Sequence, residues 1–322
     1  MRILITGITG FVGGHLVEHL MSLGGHELFG VSRRAEWPGG LSHLAPHVRL
    51  FAADLCDAGV TEQVVRECCP DWVCHLAGYA NTGGSFRDPE RAWRENLTAT
   101  RCLYDAVTGS GLKPRILFVS TGLIYGEPDE PDGVCAESTT LKPASPYAAS
   151  KAAADLISYQ YTRSAGLDIV RVRLFNQIGP RQSADFAVSN FARQIAAAEV
   201  GKQAPEVSVG DLSARRDVAD VRDIVAAFPL LLEKGRCGEA YNAARGESFL
   251  IQSLLDKLVA MSRVPIQVHQ KIEPGRKADT AVARADASKL RAATGWAPQV
   301  TLDQSLAGVL NYWRSLSGTQ TS

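Results

Sequence analysis

The chain lacks an excess of charge of either sign, a long apolar run and any paired-cysteine motif. Its 322 residues carry 34 Lys plus Arg against 34 Asp plus Glu, a formal net charge of zero. A nucleic-acid binder usually carries a basic excess that displaces condensed counterions, and a protein held on anionic lipid is skewed the same way. The balance argues against both partners. No run of about 18 apolar residues occurs, so no membrane span is expected. The opening MRILITG enters a strand pattern without the charged leader, apolar core and cleavage site of a signal peptide, and a cytoplasmic location is expected. The seven cysteines (Cys56, Cys68, Cys69, Cys74, Cys102, Cys135, Cys237) are odd in number and form no C-x-x-C pair. Reduced thiols are expected rather than disulfides or a metal site.

What is present is ordinary for a soluble globular chain: 45% hydrophobic and 21% charged residues, enough for one large or two medium domains. Short runs rich in Val, Ile, Leu and Phe (residues 2–6, 27–32, 48–52, 72–76, 116–120 and 169–174) alternate with helix-length patterns at 11–23, 61–69, 89–109 and 146–165. Strands alternating with crossover helices predict an α/β fold with a parallel sheet covered on both faces. After Asn176 the rhythm changes: helices at 190–200, 220–233, 251–262 and 286–294 surround strands at 206–209, 240–243 and 265–270. These cannot extend one simple parallel sheet in order, which predicts a smaller second lobe.

Thr6-Gly7-Ile8-Thr9-Gly10-Phe11-Val12-Gly13 lies between the first strand and the first helix. Gly7 permits a tight turn, Gly10 lets the backbone approach a pyrophosphate, and Gly13 lets the helix pack closely on the strand. The helix N-terminus then offers unpaired N–H groups and a positive dipole end to phosphates. A glycine triplet alone is only a turn. Between strand and helix it predicts a dinucleotide cofactor. NAD-binding versions usually carry an acidic residue about 20 positions on, to accept from the ribose 2′-OH, and NADP-binding versions an arginine. Here the chain reads Val31-Ser32-Arg33-Arg34, with no carboxylate at that point. NADP(H) is the expected cofactor, with NAD(H) as the alternative.

Ser145-Pro146 precedes Tyr147-Ala148-Ala149-Ser150-Lys151, where Ser145 can cap a helix and Pro146 can occupy its first position. Residues four apart share a helix face, so Tyr147 and Lys151 point together. A cation beside the phenol is expected to lower its pKa and make Tyr147 a general acid/base for carbonyl and alcohol interconversion. Alone, Y-x-x-x-K is common on ordinary helices.

These two motifs occur together with His75-Leu76-Ala77-Gly78, Asn96, and Ser120-Thr121 before Tyr125-Gly126. Later come Arg171-Val172-Arg173-Leu174-Phe175-Asn176, Arg216-Asp217-Val218-Ala219-Asp220 and Gly295-Trp296-Ala297-Pro298. In this combination the chain resembles, over nearly its whole length, the extended short-chain dehydrogenase/reductase family acting on nucleotide sugars. The resemblance implies a Rossmann-type doubly wound sheet (1–176 plus about 217–245) with a smaller C-terminal α/β lobe for the nucleotide sugar (177–216 plus about 246–322). It implies that Thr121 hydrogen-bonds the substrate's C4 oxygen, Tyr147 exchanges its proton and Lys151 holds the nicotinamide ribose. Gly7, Thr9, Gly10, Phe11, Val12, Gly13, Ser32, Arg33 and Arg34 would bind cofactor, with Asp54 and Leu55 flanking the adenine. Leu76, Ala77, Gly78 and Asn96 would line its path. Asn176, Arg216 and Arg276 would hold the substrate, without a metal, and helices near 89–109 and 146–165 would form a homodimer. Trp93, Trp296 and Trp313 are read as packing residues.

Dehydratases similar to this chain place Asp or Ser and then Glu directly after the catalytic Thr; here Gly122 and Leu123 stand there and cannot transfer a proton. An epimerase-reductase acting at C3 and C5 adds a Cys and a His, yet the one histidine after His75 is His269. Two readings remain. One is an NADPH-dependent reductase of a nucleotide-linked 4-keto-6-deoxyhexose, and the other a 4-epimerase of the UDP-hexose type. Arg33 and Arg34 favour the reductase, and residues 175–183 and 214–223 look most like family members that reduce GDP-4-keto-6-deoxymannose.

Overall fold

The computed structural model describes residues 1–128, 133–271 and 282–318. The apolar runs form β1 (Arg2–Thr6), β2 (Glu27–Ser32), β3 (Val48–Ala52), β4 (Trp72–His75) and β5 (Arg115–Thr121). There follow β6 (Val134–Cys135), β7 (Asp168–Leu174), β8 (Asn176–Ile178), β9 (Glu206–Val209), β10 (Arg215–Asp220), β11 (Ala240–Ala243), β12 (Ser248–Leu250), β13 (Gln267–Gln270) and β14 (Val282–Ala285). Seven strands pair in parallel in the order β3-β2-β1-β4-β5-β7-β11. Every residue of β4 and β11 is buried, as a sheet covered on both faces requires.

The helices are α1 (Phe11–Leu23), α2 (Ala58–Cys68), α3 (Thr82–Ser85), α4 (Pro89–Trp93), α5 (Ala99–Ser110), α6 (Pro146–Ser164), α7 (Ala187–Glu199), α8 (Val221–Lys234), α9 (Ile251–Ala260), α10 (Ser288–Thr294) and α11 (Leu302–Gly318). On one face of the sheet, Leu16 and Leu20 of α1 pack with Ile224 and Phe228 of α8; on the other, Val65 of α2 meets Leu103 and Tyr104 of α5. The chain winds from β1 outward to β3, then returns across β1 to β4. That reversal opens a crevice at the carboxyl ends of β1 and β4.

A second group of strands runs β12-β10-β14-β6, with β8 on β10, and β9 pairs with β13. Helices α7, α9 and α11 close a separate core there through Phe191, Ile195, Leu254, Leu258, Leu306 and Leu310. Trp296 donates its indole N–H to Asp223 O at 2.8 Å and Trp313 donates to Ser189 Oγ at 2.9 Å, so both pack as expected.

Several elements, β10 among them, differ from the sequence reading. The single helix expected over 89–109 is instead α4, a π-helical turn at Arg94–Thr98, and α5. The wider turn carries Asn96 inward, to 1% exposure. Helix α11 was not anticipated, although Leu306, Val309, Leu310 and Trp313 have helical spacing, and the two- to four-residue strands β6, β8, β12 and β14 are too short to show a period.

Candidate functional site

The crevice is a cavity of about 480 Å³, within the range of small-molecule sites. One end is built by the turn after β1. Gly7 has φ +69°, and a Cβ there would lie 2.8 Å from Ala77 N. A Cβ on Gly13 would lie 2.5 Å from Gly7 O and 2.6 Å from Ile8 O. Gly10 precedes α1 without a side-chain cap, which leaves the first N–H groups of the helix open to a ligand. The residues fit a dinucleotide pyrophosphate: backbone lies where any side chain would obstruct, and a helix N-terminus adjoins it.

The two turns at the crevice are locked together by a buried chain. Ala77 N donates to Thr6 Oγ1 (3.1 Å), which contacts His75 Nδ1 (2.7 Å). His75 Nε2 contacts Thr100 Oγ1 (2.9 Å), which donates to Asn96 O (2.6 Å). Thr100 spends its proton on Asn96 O, so it accepts from His75 Nε2–H, and Nδ1 accepts the Thr6 hydroxyl. Burial, with the charge of Lys151, holds the His75 pKa down to about 3, consistent with this neutral tautomer.

At the inner end, Ser145 Oγ accepts from Ala148 N at 3.1 Å and Pro146 occupies the first position of α6. The backbone of Tyr147 is fixed twice. Its N–H donates to Ser85 Oγ (3.1 Å), and its carbonyl accepts from Ser150 Oγ (2.8 Å), which itself accepts from Asn96 Nδ2 (2.9 Å). Tyr147 and Thr121 both line the cavity. Lys151, 7% exposed, also lines it and donates Nζ to Val119 O at 2.6 Å. Burial pulls the Lys151 pKa down to about 8, against the carboxylate of Asp155 one turn on.

The lowered tyrosine pKa expected from the sequence is not found. Burial raises the Tyr147 pKa, the nearby Thr121 hydroxyl opposes that rise, and the Lys151 ammonium is committed to a backbone carbonyl. Behind Lys151 lies a polar cluster that sequence reasoning had left as a family landmark. Asp155, fully buried, accepts from Arg171 Nη1 (2.6 Å) and from Arg173 Nη2 (3.0 Å) and Nε (3.2 Å). Arg173 also donates to Tyr125 Oη (2.9 Å), which donates to Asn242 Oδ1 (2.7 Å).

Of the residues singled out from sequence, Gly7, Thr9, Gly10, Phe11, Val12, Gly13, Ser32, Arg33, Asp54, Leu55, Leu76, Ala77, Gly78, Thr121, Tyr147, Lys151 and Asn176 line this one cavity. Arg34 borders an adjoining hollow with Thr9, Ser32, Glu36 and Trp37. Asn96, expected on the cofactor path, sits behind the wall and acts on the backbone of Tyr147 through Ser150, because the π-helical turn carries it into the interior. Arg216 stands on β10 outside the cavity walls, its Nη1 donating to Arg215 O. Arg276 lies outside the described residues.

The sequence reading missed Tyr79, Phe186 and Glu95 and gave no site role to Ser120 and Gln182, all of which line the cavity. Ser120 Oγ and Gln182 Oε1 are buried without a hydrogen-bond partner. Glu95 corrects a specific expectation, the absence of a competing carboxylate near Arg33: its Oε1 accepts from Arg33 Nη1 and from Arg91 Nε, each at 2.8 Å.

The family model described as GDP-mannose 4,6 dehydratase matches residues 4–308. The chain belongs to this family of extended short-chain dehydrogenases/reductases. It is a nicotinamide-dependent oxidoreductase. A GDP-6-deoxy-D-mannose reductase of Pseudomonas aeruginosa is 33% identical over 314 residues, covering 98% of this chain and 97% of that protein. A UDP-glucose 4-epimerase of Mycolicibacterium smegmatis is 29% identical, over 98% of this chain and all of that protein. Among solved structures, RMD from Pseudomonas aeruginosa complexed with NADPH superposes with a TM-score of 0.84 at 32% identity, covering 98% of this chain and 100% of that one. Thermus thermophilus UDP-glucose 4-epimerase in complex with NAD also gives a TM-score of 0.84, at 29% identity and covering 98% of this chain and 99% of that one. Among the described residues, no helix is long and apolar enough to cross a membrane.

Proposed function

We propose that this protein catalyses NADPH-dependent reduction of the C4 keto group of a nucleotide-linked 4-keto-6-deoxyhexose. Its substrate in this reading is GDP-4-keto-6-deoxy-D-mannose and its product a GDP-6-deoxyhexose of the rhamnose type. The observation that carries the reading is the convergence of Thr121, Tyr147 and Lys151 on one cavity, while Gly122 and Leu123 beside them offer no acid or base for dehydration. The 33% identity to a GDP-6-deoxy-D-mannose reductase supports the same choice.

In this reading, residues 1–176 and about 217–245 hold cofactor, and 177–216 with about 246–322 hold the sugar nucleotide. Gly7, Gly10 and Gly13 admit the pyrophosphate, Asp54 and Leu55 flank the adenine, and Arg33 and Arg34 receive a 2′-phosphate. When bound, the reduced nicotinamide supplies the hydride that C4 requires. Thr121 hydrogen-bonds the C4 oxygen and orients the carbonyl. Tyr147 gives that oxygen its phenolic proton, a transfer worth about 10²- to 10⁴-fold in rate. Lys151 holds the ribose and, as a cation near the phenol, stabilises the tyrosinate left behind. Asn176, Arg216 and Arg276 contact the sugar nucleotide.

The test is loss of NADPH absorbance when the purified protein meets NADPH and the product of a GDP-mannose dehydratase. Tyr147→Phe should abolish turnover and retain NADPH binding. Interconversion of UDP-sugar C4 epimers without net NADPH consumption would overturn the reductase reading in favour of a 4-epimerase. That second reading is supported by the 29% identical epimerase and by the sufficiency of Thr121, Tyr147 and Lys151 for its chemistry. NAD(H) then replaces NADP(H).

We also infer a cytoplasmic homodimer through helices near 89–109 and 146–165. Leu156 and Tyr159 of α6 are 57% and 47% exposed, an apolar surface that a partner helix would cover. The seven unpaired thiols suit a reducing compartment.

A further inference from the structure

Choice of cofactor is usually read at the end of the second strand, where this chain has Arg33 and Arg34. The folded chain brings a third group to that place. Glu95, on the π-helical turn, lines the cavity together with Ser32 and Arg33, and its Oε1 accepts from Arg33 Nη1 at 2.8 Å. The same oxygen accepts from Arg91 Nε at 2.8 Å. Glu95 is 17% exposed and Arg33 64%, so the carboxylate is the better fixed of the two. Arg34 makes no ion pair among the described residues, and Glu36 borders the adjoining hollow without pairing to either arginine.

We propose that Glu95 is a specificity-determining residue that opposes the arginines and sets how strongly the site prefers a 2′-phosphorylated cofactor. The proposal rests on the cofactor reading above and goes one residue further. A 2′-phosphate must take Arg33 from Glu95 and then lie near a carboxylate of its own sign, which weakens its binding. An unphosphorylated ribose meets no such penalty, and its hydroxyls can donate to the carboxylate. Arg33 and Arg34 therefore pull toward NADP, Glu95 pulls toward NAD, and Arg91 moderates Glu95 by sharing its oxygen.

The test uses two fragments that differ only in the 2′-phosphate, adenosine 2′,5′-bisphosphate and AMP, titrated calorimetrically into the whole protein at low salt. The readout is the ratio of their affinities. Glu95→Gln should raise the ratio about three- to tenfold, the effect of one charge roughly 6 Å away near a solvated surface. Arg91→Met, which leaves Glu95 wholly to Arg33, should lower it. Glu36→Gln should leave it within about twofold. Added salt should shrink the Glu95→Gln effect. AMP binding reports in each variant that the site has folded. An unchanged or lowered ratio in Glu95→Gln overturns the proposal. Alanine at both Arg33 and Arg34 separates the two layers of argument. If it leaves the ratio unmoved, the cofactor reading itself fails; if it lowers the ratio while Glu95→Gln does nothing, only the role of Glu95 fails.

Discussion

Lys151 offers the most quantitative test of the site, because its environment predicts a stability that depends on pH. In the unfolded chain its amine titrates near 10.5, and in the folded protein burial brings it to about 8. Between those values the unfolded state binds more protons than the native state, so native stability rises with pH. At about 1.4 kcal/mol per tenfold change in proton affinity, the charged amine costs the native state about 3 kcal/mol at neutral pH. Raising the pH from about 7 to about 10 should recover roughly 2–3 kcal/mol of it. Lys151→Met is the reference, since a side chain of similar length fills the slot without titrating. Denaturant unfolding of both proteins across this range isolates the contribution of Lys151 from the other lysines, cysteines and tyrosines, which titrate in both. The wild-type protein should gain on the variant steadily as pH rises above 8. A constant difference between the two would refute a buried ammonium with a depressed pKa. The residue would then have to be solvated, or paired more strongly with Asp155 than the geometry shows.

Three further outcomes follow from named contacts. Asp155→Ala leaves Arg171 and Arg173 with uncompensated charge and should cost about 3–5 kcal/mol in denaturant unfolding; the geometry behind that figure is Arg171 Nη1 at 2.6 Å from Asp155 Oδ1. Gly13→Ala forces a methyl to 2.5 Å from Gly7 O. It should cost about 1–3 kcal/mol and abolish AMP binding by calorimetry, whereas preserved AMP affinity would contradict the close approach of helix and turn. His75 should stay neutral with its proton on Nε2 from mildly acid pH upward, read from its nitrogen shifts by NMR; a midpoint near 6.5, the ordinary histidine value, would break the hydrogen-bond chain from Ala77 to Asn96.

How far the site was legible depended on whether its parts were chain neighbours. Gly7, Gly10 and Gly13 fall within one turn and helix start, and Tyr147 and Lys151 within two turns of α6, so both features appear as spacings. Asn96 was recognisable as a landmark while its position was not, because the π-helical turn that buries it adds one residue to a helix without changing the apolar pattern. The tyrosine pKa was misjudged for a related reason. Helical spacing places Lys151 on the side of Tyr147, yet the carbonyl of Val119, from strand β5, claims its ammonium.

Local sequence by itself determined most of the central-sheet strands and their crossover helices, the cap of α6 and the residue types able to move a proton or admit a phosphate, since each depends on interactions within a few residues. Only the tertiary structure decided what those units share. The strand order set β1 beside β4, which let Thr6 meet His75 across 69 residues, and brought Glu95 to Arg33 across 62. Such meetings depend on how crossover helices route the chain and on the burial that follows, and neither leaves a periodic mark in the sequence.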